Sequence, residues 1–402
     1  MKKIAIGMKF LCALLTASLI FTSGSVVEAS GSEEVITLEA AVDSENNSLD
    51  SNTISEADFE YSNLINQEFD TLVAHWGGEY PTYYAGAFIA DRQFTILVTC
   101  EPQDVQNEIW TITGNRDIIV AKASNSYNDL MNLQDQITEL VTNLQSEGDR
   151  VANLVVGIGV DEIQNDVFVE VLNMDETVRE EVETMLEAYS SVRLVAKDSP
   201  YEEMTNVTAG TDKWVVNNNL GTACTIGFCA TRVNSAGVTE KGFVTAGHAG
   251  NLSNTMKIDG NSVGKISWRK YGGNCDACFV NLNDFPSSGY VMSHILSTNY
   301  TITSYSSVGV VGTSYAMHGK SSGIIAGTVD NTSFNFTMGG ISFTDHIRMY
   351  MHVVNGDSGA PLVRSLTGYN RSVVGICSSG DSTYSNFTKV TNILSSMNGS
   401  LY

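Results

Sequence analysis

The texture of the chain changes once, near residue 205, and that change limits the fold more than any other feature. Upstream, apolar residues recur at helical spacing between short alternating runs. From Trp214 onward come short β-rich runs broken by Gly, Asn and Ser, with almost no helical period before about Val390. Charge divides at the same place. The first 205 residues hold 36 of the 45 acids and 10 of the 22 Lys and Arg residues, a net of −26 against +3 for the remainder, so the chain's negative charge resides upstream. Two or more folded units with different tasks are expected, in line with 402 residues, too many for one typical domain.

The N-terminus has the layout of a secretory signal peptide over 1–29. Lys2, Lys3 and Lys9 precede an apolar run from Phe10 to Phe21, and Val27-Glu28-Ala29 offers a cleavage point. That run is too short to span a bilayer and no later stretch reaches such a length, so a secreted, extracellular product with no membrane partner is expected. Ser30 to Asn52 is polar and expected to be disordered. A helix is predicted from Ser55, a hairpin at Tyr84–Ile89 and Phe94–Val98, and a second helix near Tyr127–Leu144. A second hairpin (Leu154–Val160, Val167–Leu172), a third helix (Glu176–Tyr189) and a strand (Val192–Ala196) come next. Val120-Ala121-Lys122-Ala123-Ser124-Asn125-Ser126-Tyr127 is echoed by Val195-Ala196-Lys197-Asp198-Ser199-Pro200-Tyr201, which suggests two related α+β subdomains. Nothing in this half reads as catalytic: His75 beside Trp76 fits a structural role. A folded, acidic, non-catalytic segment between a signal peptide and a β-rich half reads as a pro-region over 30–205, leaving 206–402 as the working domain.

The downstream half predicts an all-β barrel or sandwich, with runs at Ala223–Phe228, Gly242–Thr245, Val308–Thr313, Ile341–Val354 and Val373–Cys377. Three motifs carry chemistry. In Asn355-Gly356-Asp357-Ser358-Gly359-Ala360-Pro361, a serine flanked by glycines on a tight turn can project its hydroxyl, and the Gly356 and Ser358 N–H groups can converge on an oxyanion. In Thr245-Ala246-Gly247-His248 a strand delivers an imidazole beside small residues. In Cys275-Asp276-Ala277-Cys278 a carboxylate enters an apolar strand, where burial must be offset by hydrogen bonds such as one from a His ring. Singly, each could be a turn, a structural histidine or a loop cap. Together, in the order His248, Asp276, Ser358, they outline a triad for nucleophilic acyl transfer.

On these residues the segment resembles the bacterial chymotrypsin-superfamily serine proteases of the α-lytic protease and streptogrisin group. Thr245-Ala246-Gly247-His248 and Gly356-Asp357-Ser358-Gly359-Ala360-Pro361 match its His and Ser motifs, and Cys224-Thr225-Ile226-Gly227-Phe228 its opening strand. Val156-Gly157-Ile158-Gly159-Val160 resembles its pro-region. The resemblance implies an all-β double β-barrel (chymotrypsin-like) protease domain preceded by an α+β pro-region that assists folding and then inhibits. It implies an oxyanion hole at Gly356 and Ser358, and a structural ion pair at Asp357. It also implies substrate contacts from Ser378, Ser379 and Gly380, with Cys377 and His352 near the primary pocket. The expected function is a serine endopeptidase acting on polypeptides, a monomer whose own pro-region is its partner, with no cofactor, metal or nucleic acid. The alternatives are a catalytically silent peptide-binding module and a secreted adhesion or structural β-domain.

The cysteines depart from the family. Ala249 stands directly after His248, so Cys224 lacks the partner that relatives supply there. Among Cys100, Cys224, Cys229, Cys275, Cys278 and Cys377, short-loop disulfides at 224–229 and 275–278, or one bridge to Cys377, are open. No second ligand pair stands at zinc-finger spacing from the Cys275–Cys278 pair.

Overall fold

The computed structural model describes residues 54–203, 214–217, 223–284, 301–365 and 370–402. The expected signal peptide, the polar stretch to Asn52 and the maturation point expected within Met204–Thr211 lie outside these residues.

The upstream segment builds one pattern twice, helix–hairpin–helix–strand. The first unit has α1 (Glu56–His75), β1 (Tyr84–Ala90), β2 (Gln93–Val98), α2 (Pro102–Thr113) and β3 (Ile119–Lys122). The second has α3 (Tyr127–Ser146), β4 (Val155–Asp161), β5 (Asp166–Leu172), α4 (Glu176–Met185) and β6 (Val192–Lys197). In each, the hairpin is antiparallel and the third strand joins its far side in parallel. The Val-Ala-Lys echo falls on β3 and β6, and the first strand of each hairpin carries a register shift at the same place, Tyr84/Gly86 and Val155/Gly157. Ser55 caps α1 in a capping box with Asp58.

Helix α2 was not expected from the sequence. It buries only Val105 and Ile109 and has no side-chain cap; proline at its start and Gly114 at φ 72° bound it instead. Helix α4 stops at Met185, four residues before the expected end.

The chain then enters β7 (Glu202–Glu203), β8 (Trp214–Asn217), β9 (Ala223–Thr225), β10 (Phe228–Val233), β11 (Thr239–Thr245), β12 (Thr255–Ile258), β13 (Asn261–Gly272) and β14 (Cys275–Asn281). After these come β15 (Thr301–Tyr305), β16 (Ser314–Gly319), β17 (Gly323–Met338), β18 (Ile341–Tyr350), β19 (Pro361–Ser365), β20 (Asn370–Gly380), β21 (Tyr384–Lys389), α5 (Val390–Met397) and β22 (Gly399–Leu401). One sheet runs β22-β10-β11-β14-β13-β12-β8-β9 and wraps a core of Cys224, Ile226, Phe243, Met256, Ile266 and Val280. The other runs β16-β19-β20-β21-β18-β17 and closes on itself because β17 also pairs with β16. Its core includes Tyr315, Met317, Met349, Leu362 and Phe387. The result is an all-β pair of barrels behind an α+β segment.

Strand β14 is buried along its whole length because both its faces are covered. Cys278 and Val280 point into the first barrel, while Cys275, Ala277 and Phe279 point into a cluster between the barrels that α5 completes. That alternation rules out the 275–278 disulfide. Residues three apart on a strand face opposite ways and stand about 10 Å apart, beyond bridging distance. No disulfide joins the described cysteines, which corrects the expectation of short-loop bridges. Instead Cys224, Cys229 and Cys278 pack as apolar groups in the first barrel, and Cys377 in the second. The Cys278 thiol donates to the Ala246 carbonyl at 3.2 Å.

The run Val308–Thr313, expected as a strand, forms only an isolated bridge between Val311 and Phe88. Its backbone is engaged elsewhere: the Val310 N–H donates to Asn66 Oδ1 of α1 and the Gly309 N–H to the Tyr315 hydroxyl. The upstream segment docks here and at a second place, where β4 pairs with β17 (Asn335 opposite Ile158, Phe336 opposite Gly157) and extends the second barrel's sheet through β5 and β6.

Candidate active site

His248 stands on a short 3-10 turn (Gly247–Ala249) just past β11, Asp276 near the start of β14, and Ser358 in the loop between β18 and β19. The fold brings them into one chain of hydrogen bonds. The His248 ring Nδ1 is 2.7 Å from Asp276 Oδ2, and its Nε2 is 2.8 Å from Ser358 Oγ. Because the carboxylate can only accept, Nδ1 carries the proton and Nε2 is left to accept from the serine hydroxyl. Asp276 Oδ1 takes the His248 backbone N–H at 3.0 Å, and Oδ2 takes the Ser378 hydroxyl at 2.7 Å.

Close packing explains the small residues beside the histidine. A Cβ on Gly247 would lie 2.6 Å from the Lys270 carbonyl and 2.9 Å from Asp276 Oδ1, so a larger residue would push histidine and carboxylate apart. On the nucleophile loop, Gly359 sits at φ 85°, and a Cβ there would reach 2.4 Å from the Thr225 carbonyl. Strand β9 pins this loop: Thr225 N–H donates to the Ser358 carbonyl at 2.7 Å and its hydroxyl to the Gly356 carbonyl at 2.7 Å.

The electrostatics arise from burial and pairing. Burial pushes the Asp276 carboxyl up, yet the His248 charge and hydrogen bond, with the Ser378 hydroxyl, bring it below the usual carboxylate range. Burial, the largest single influence, lowers His248, but the Asp276 charge and hydrogen bond together with the Glu203 carboxylate outweigh it and the ring ends above its ordinary value. Burial raises the Cys224, Cys275, Cys278 and Cys377 thiols, which keeps them protonated and poor nucleophiles.

The remaining sequence candidates lie around this centre. Ser378 supports Asp276 through its side chain. Ser379 and Gly380 lie on the edge of β20 and pair antiparallel with the chain's own β7, Ser379 opposite Glu203 and Gly380 opposite Glu202. Cys377 is fully buried in the second barrel. His352 is exposed, with its Nδ1 3.2 Å from the Asp381 carbonyl. Gly356, one of the two oxyanion-hole candidates, is buried at φ 102° beside the fully buried Asp357 and Ser358.

Asp357 corrects an expectation: no ion pair reaches it among the described residues. Its Oδ1 accepts the Ser321 and Ser322 N–H groups at 2.9 and 3.1 Å. Its Oδ2 accepts the Ser322 hydroxyl at 2.5 Å and the Val354 N–H at 3.1 Å. Neutral donors on the β16–β17 turn replace a cation in holding the loop.

Sequence reading missed the support behind Asp276. Its N–H donates to the Thr388 hydroxyl oxygen at 3.1 Å, and that hydroxyl lies 3.0 Å from Nε2 of the buried His346. It also missed Tyr271, whose ring centroid lies 6.3 Å from that of His248 and whose hydroxyl donates to Glu203 Oε1.

No family model matches the chain. Among solved structures, it is similar to Nocardiopsis protease (24% identity over 47% of this chain and 95% of that one, TM-score 0.36). It is also similar to Thermobifida fusca protease A (22%, 47% and 96%, TM-score 0.37) and to an alpha-lytic protease homolog termed N4 (13%, 49% and 100%, TM-score 0.35). The strand order described above, two β-barrels with the histidine, aspartate and serine meeting between them, defines a chymotrypsin-like fold.

Proposed function

We propose that the chain is a secreted serine endopeptidase, made as a zymogen whose α+β segment assists folding and then inhibits. The observation that carries this reading is the continuous Asp276–His248–Ser358 hydrogen-bond chain, with the tautomer a general base needs. In this reading His248 Nε2 takes the Ser358 proton as Oγ attacks the peptide carbonyl. The oxyanion is held by the Gly356 and Ser358 N–H groups, a contribution of about 10²–10³ in rate per donor. His248 then protonates the leaving amine, and water, deprotonated by the same imidazole, releases the acyl group from Ser358. Asp276, kept ionised, orients the ring and stabilises the imidazolium.

Inhibition is supported by β7, which lies along β20 where a substrate backbone would pair, and by Glu203 beside the imidazole. A folding role is supported by the docking of α1 and β4 on the second barrel. The enzyme works as a monomer on polypeptides, with its own upstream segment as partner and no cofactor.

A fluorophosphonate probe tests the reading on protein produced from the full-length chain. Wild type should be labelled at Ser358 and appear processed, whereas Ser358→Ala should be unlabelled and persist as a precursor of 43.4 kDa less any signal peptide. Folded, processed wild type that takes no label would overturn the protease reading and leave a peptide-binding module.

A further inference from the structure

The strand lying in the cleft shows what side chains the cleft accommodates. Pairing on β20 makes residues 201 and 203 face the barrels and residue 202 face outward, by the alternation of any extended strand. The burial agrees: Tyr201 is 2% exposed, Glu202 is exposed and Glu203 is half-buried.

Each inward side chain meets a built receptor. The Glu203 carboxylate accepts the Tyr271 hydroxyl. That tyrosine is fixed by the Arg269 guanidinium 4.9 Å over its ring, and Arg269 is itself anchored by an Nε bond of 2.6 Å to the Gly247 carbonyl. Both residues belong to β13, next to the histidine. The Tyr201 ring packs edge-on to Phe334 (5.8 Å) and Phe336 (5.4 Å) of β17. Its hydroxyl bonds Glu170 Oε2 at 2.9 Å and lies 3.4 Å from Arg348 Nη1. Tyr271, Phe334, Phe336 and Arg348 are barrel residues and remain when the upstream segment is released, whereas the Glu170 carboxylate and the Lys197 ammonium 4.2 Å over the Tyr201 ring leave with it.

We propose that the cleft selects polypeptides carrying an aromatic–any–acidic element, the acidic side chain opposite Ser379 read by the Tyr271 hydroxyl and the aromatic one seated on Phe334 and Phe336. The inference rests on the protease reading and names the substrate class of that same site. Strand addition supplies sequence-independent main-chain bonds, and alternate side-chain pockets supply the selectivity. A hydroxyl built to donate to a carboxylate is left unsatisfied by an apolar side chain, which is the stronger form of discrimination.

The test uses protein produced from the full-length chain and quenched peptides copying residues 199–210, with Glu203→Leu or Tyr201→Ala in the peptide. The expected result is a fall in kcat/KM of about tenfold for each peptide change. In the Tyr271→Phe enzyme the Glu-over-Leu ratio should shrink toward one while the Tyr-over-Ala ratio persists, the latter also reporting an intact cleft. Wild-type ratios near one, or a Glu-over-Leu ratio unchanged in Tyr271→Phe, overturn the proposal. The wild-type ratios decide alone should Tyr271→Phe fail to fold. Peptide binding to Ser358→Ala protein, folded as the full-length chain and then freed of its upstream segment by an added protease so that β7 no longer fills the cleft, is read by fluorescence anisotropy and separates the two claims. No cleavage by wild type with the Glu-over-Leu binding preference intact sinks the protease reading alone. Labelled, active enzyme indifferent to both peptide changes sinks the selectivity alone.

Discussion

The two upstream units share a topology and even the position of a β-bulge, yet they grip the barrels differently. The first presents α1, whose Ser62 and Asn66 accept backbone N–H groups from Ser314 and Val310, and its strand β1 makes only one bridge, Phe88 with Val311. The second presents the edge of β4, which joins the β17 ladder. Their ion pairs differ as well. Asp70 of the first unit meets Arg364 at 3.1 Å with its side chain 56% exposed, whereas Glu170 of the second meets Arg348 at 2.6 Å with both side chains almost fully buried. Arg348 is further enclosed by Asp330 at 2.5 Å and by the rings of Phe334 and Tyr384 at 4.2 and 4.4 Å. A repeated fold thus yields one side-chain-mediated contact with a wet ion pair and one backbone-mediated contact with a dry one.

The largest effect should come from breaking the dry contact. Glu170→Ala leaves the Arg348 charge buried with one partner fewer and should cost about 3 kcal/mol in stability of the full-length Ser358→Ala protein, read by urea unfolding. A loss under about 0.5 kcal/mol would erase the contrast between the units.

The next effect concerns Glu162, which ties the units together. Its Oε2 accepts the Ala87 N–H of β1 at 2.8 Å and its Oε1 the Thr332 hydroxyl of β17 at 3.1 Å. Tyr80, Tyr84, Tyr127, Asp345 and Lys389 line the cavity of about 260 Å³ beside it. Burial raises the Glu162 carboxyl from 4.5 to about 7, with neighbouring Asp161 adding to the rise and the two hydrogen bonds opposing it. The docked state therefore holds a proton that the undocked chain has already lost. Its advantage is full below about pH 4.5 and declines through about pH 7, a total on the order of 3 kcal/mol. Across pH 5 to 8, stability of the full-length Ser358→Ala protein should change less favourably with rising pH than that of its Glu162→Gln variant, while the buried His346, lowered to about 4, contributes an opposing rise in both. An unchanged slope in that variant would remove Glu162 from the account.

The smallest effect should be at the wet contact: Asp70→Asn should shift stability by under about 1 kcal/mol, because half-exposed pairs are screened by water and salt. A cost approaching that of Glu170→Ala would mean the first unit is the principal anchor.

What the sequence made legible was chemistry carried on contiguous residues. The turn around Ser358 and the strand end at His248 announce themselves because a nucleophile and a base need small neighbours within one or two positions. Asp276 was readable as an acid in an apolar strand, but its supports Ser378 and Thr388 lie more than a hundred residues away. The cysteines misled because spacing along a chain says nothing about which face of a strand each occupies, and β14 places Cys275 and Cys278 on opposite ones. Asp357 misled because three of its four donors, the Ser321, Ser322 and Val354 amides, are backbone groups that any residue could supply. Strand β7 is two residues long, too short for a periodic signal, and the Glu170–Arg348 pair spans 178 positions. Helix α2 lacked both a capping side chain and a continuous apolar stripe.

The pairing of β22 with β10, Ala230 opposite Leu401, has a consequence in time. Ribosomes deliver the two upstream units first, and their contacts are short enough in sequence to form as the chain emerges. The first barrel must wait about 170 further residues for the strand that flanks β10, and closing that long loop is slow. During the wait the exposed edges of the half-made sheets are hazards for aggregation, and the free edge of β4 is already present as a place for β17 to dock.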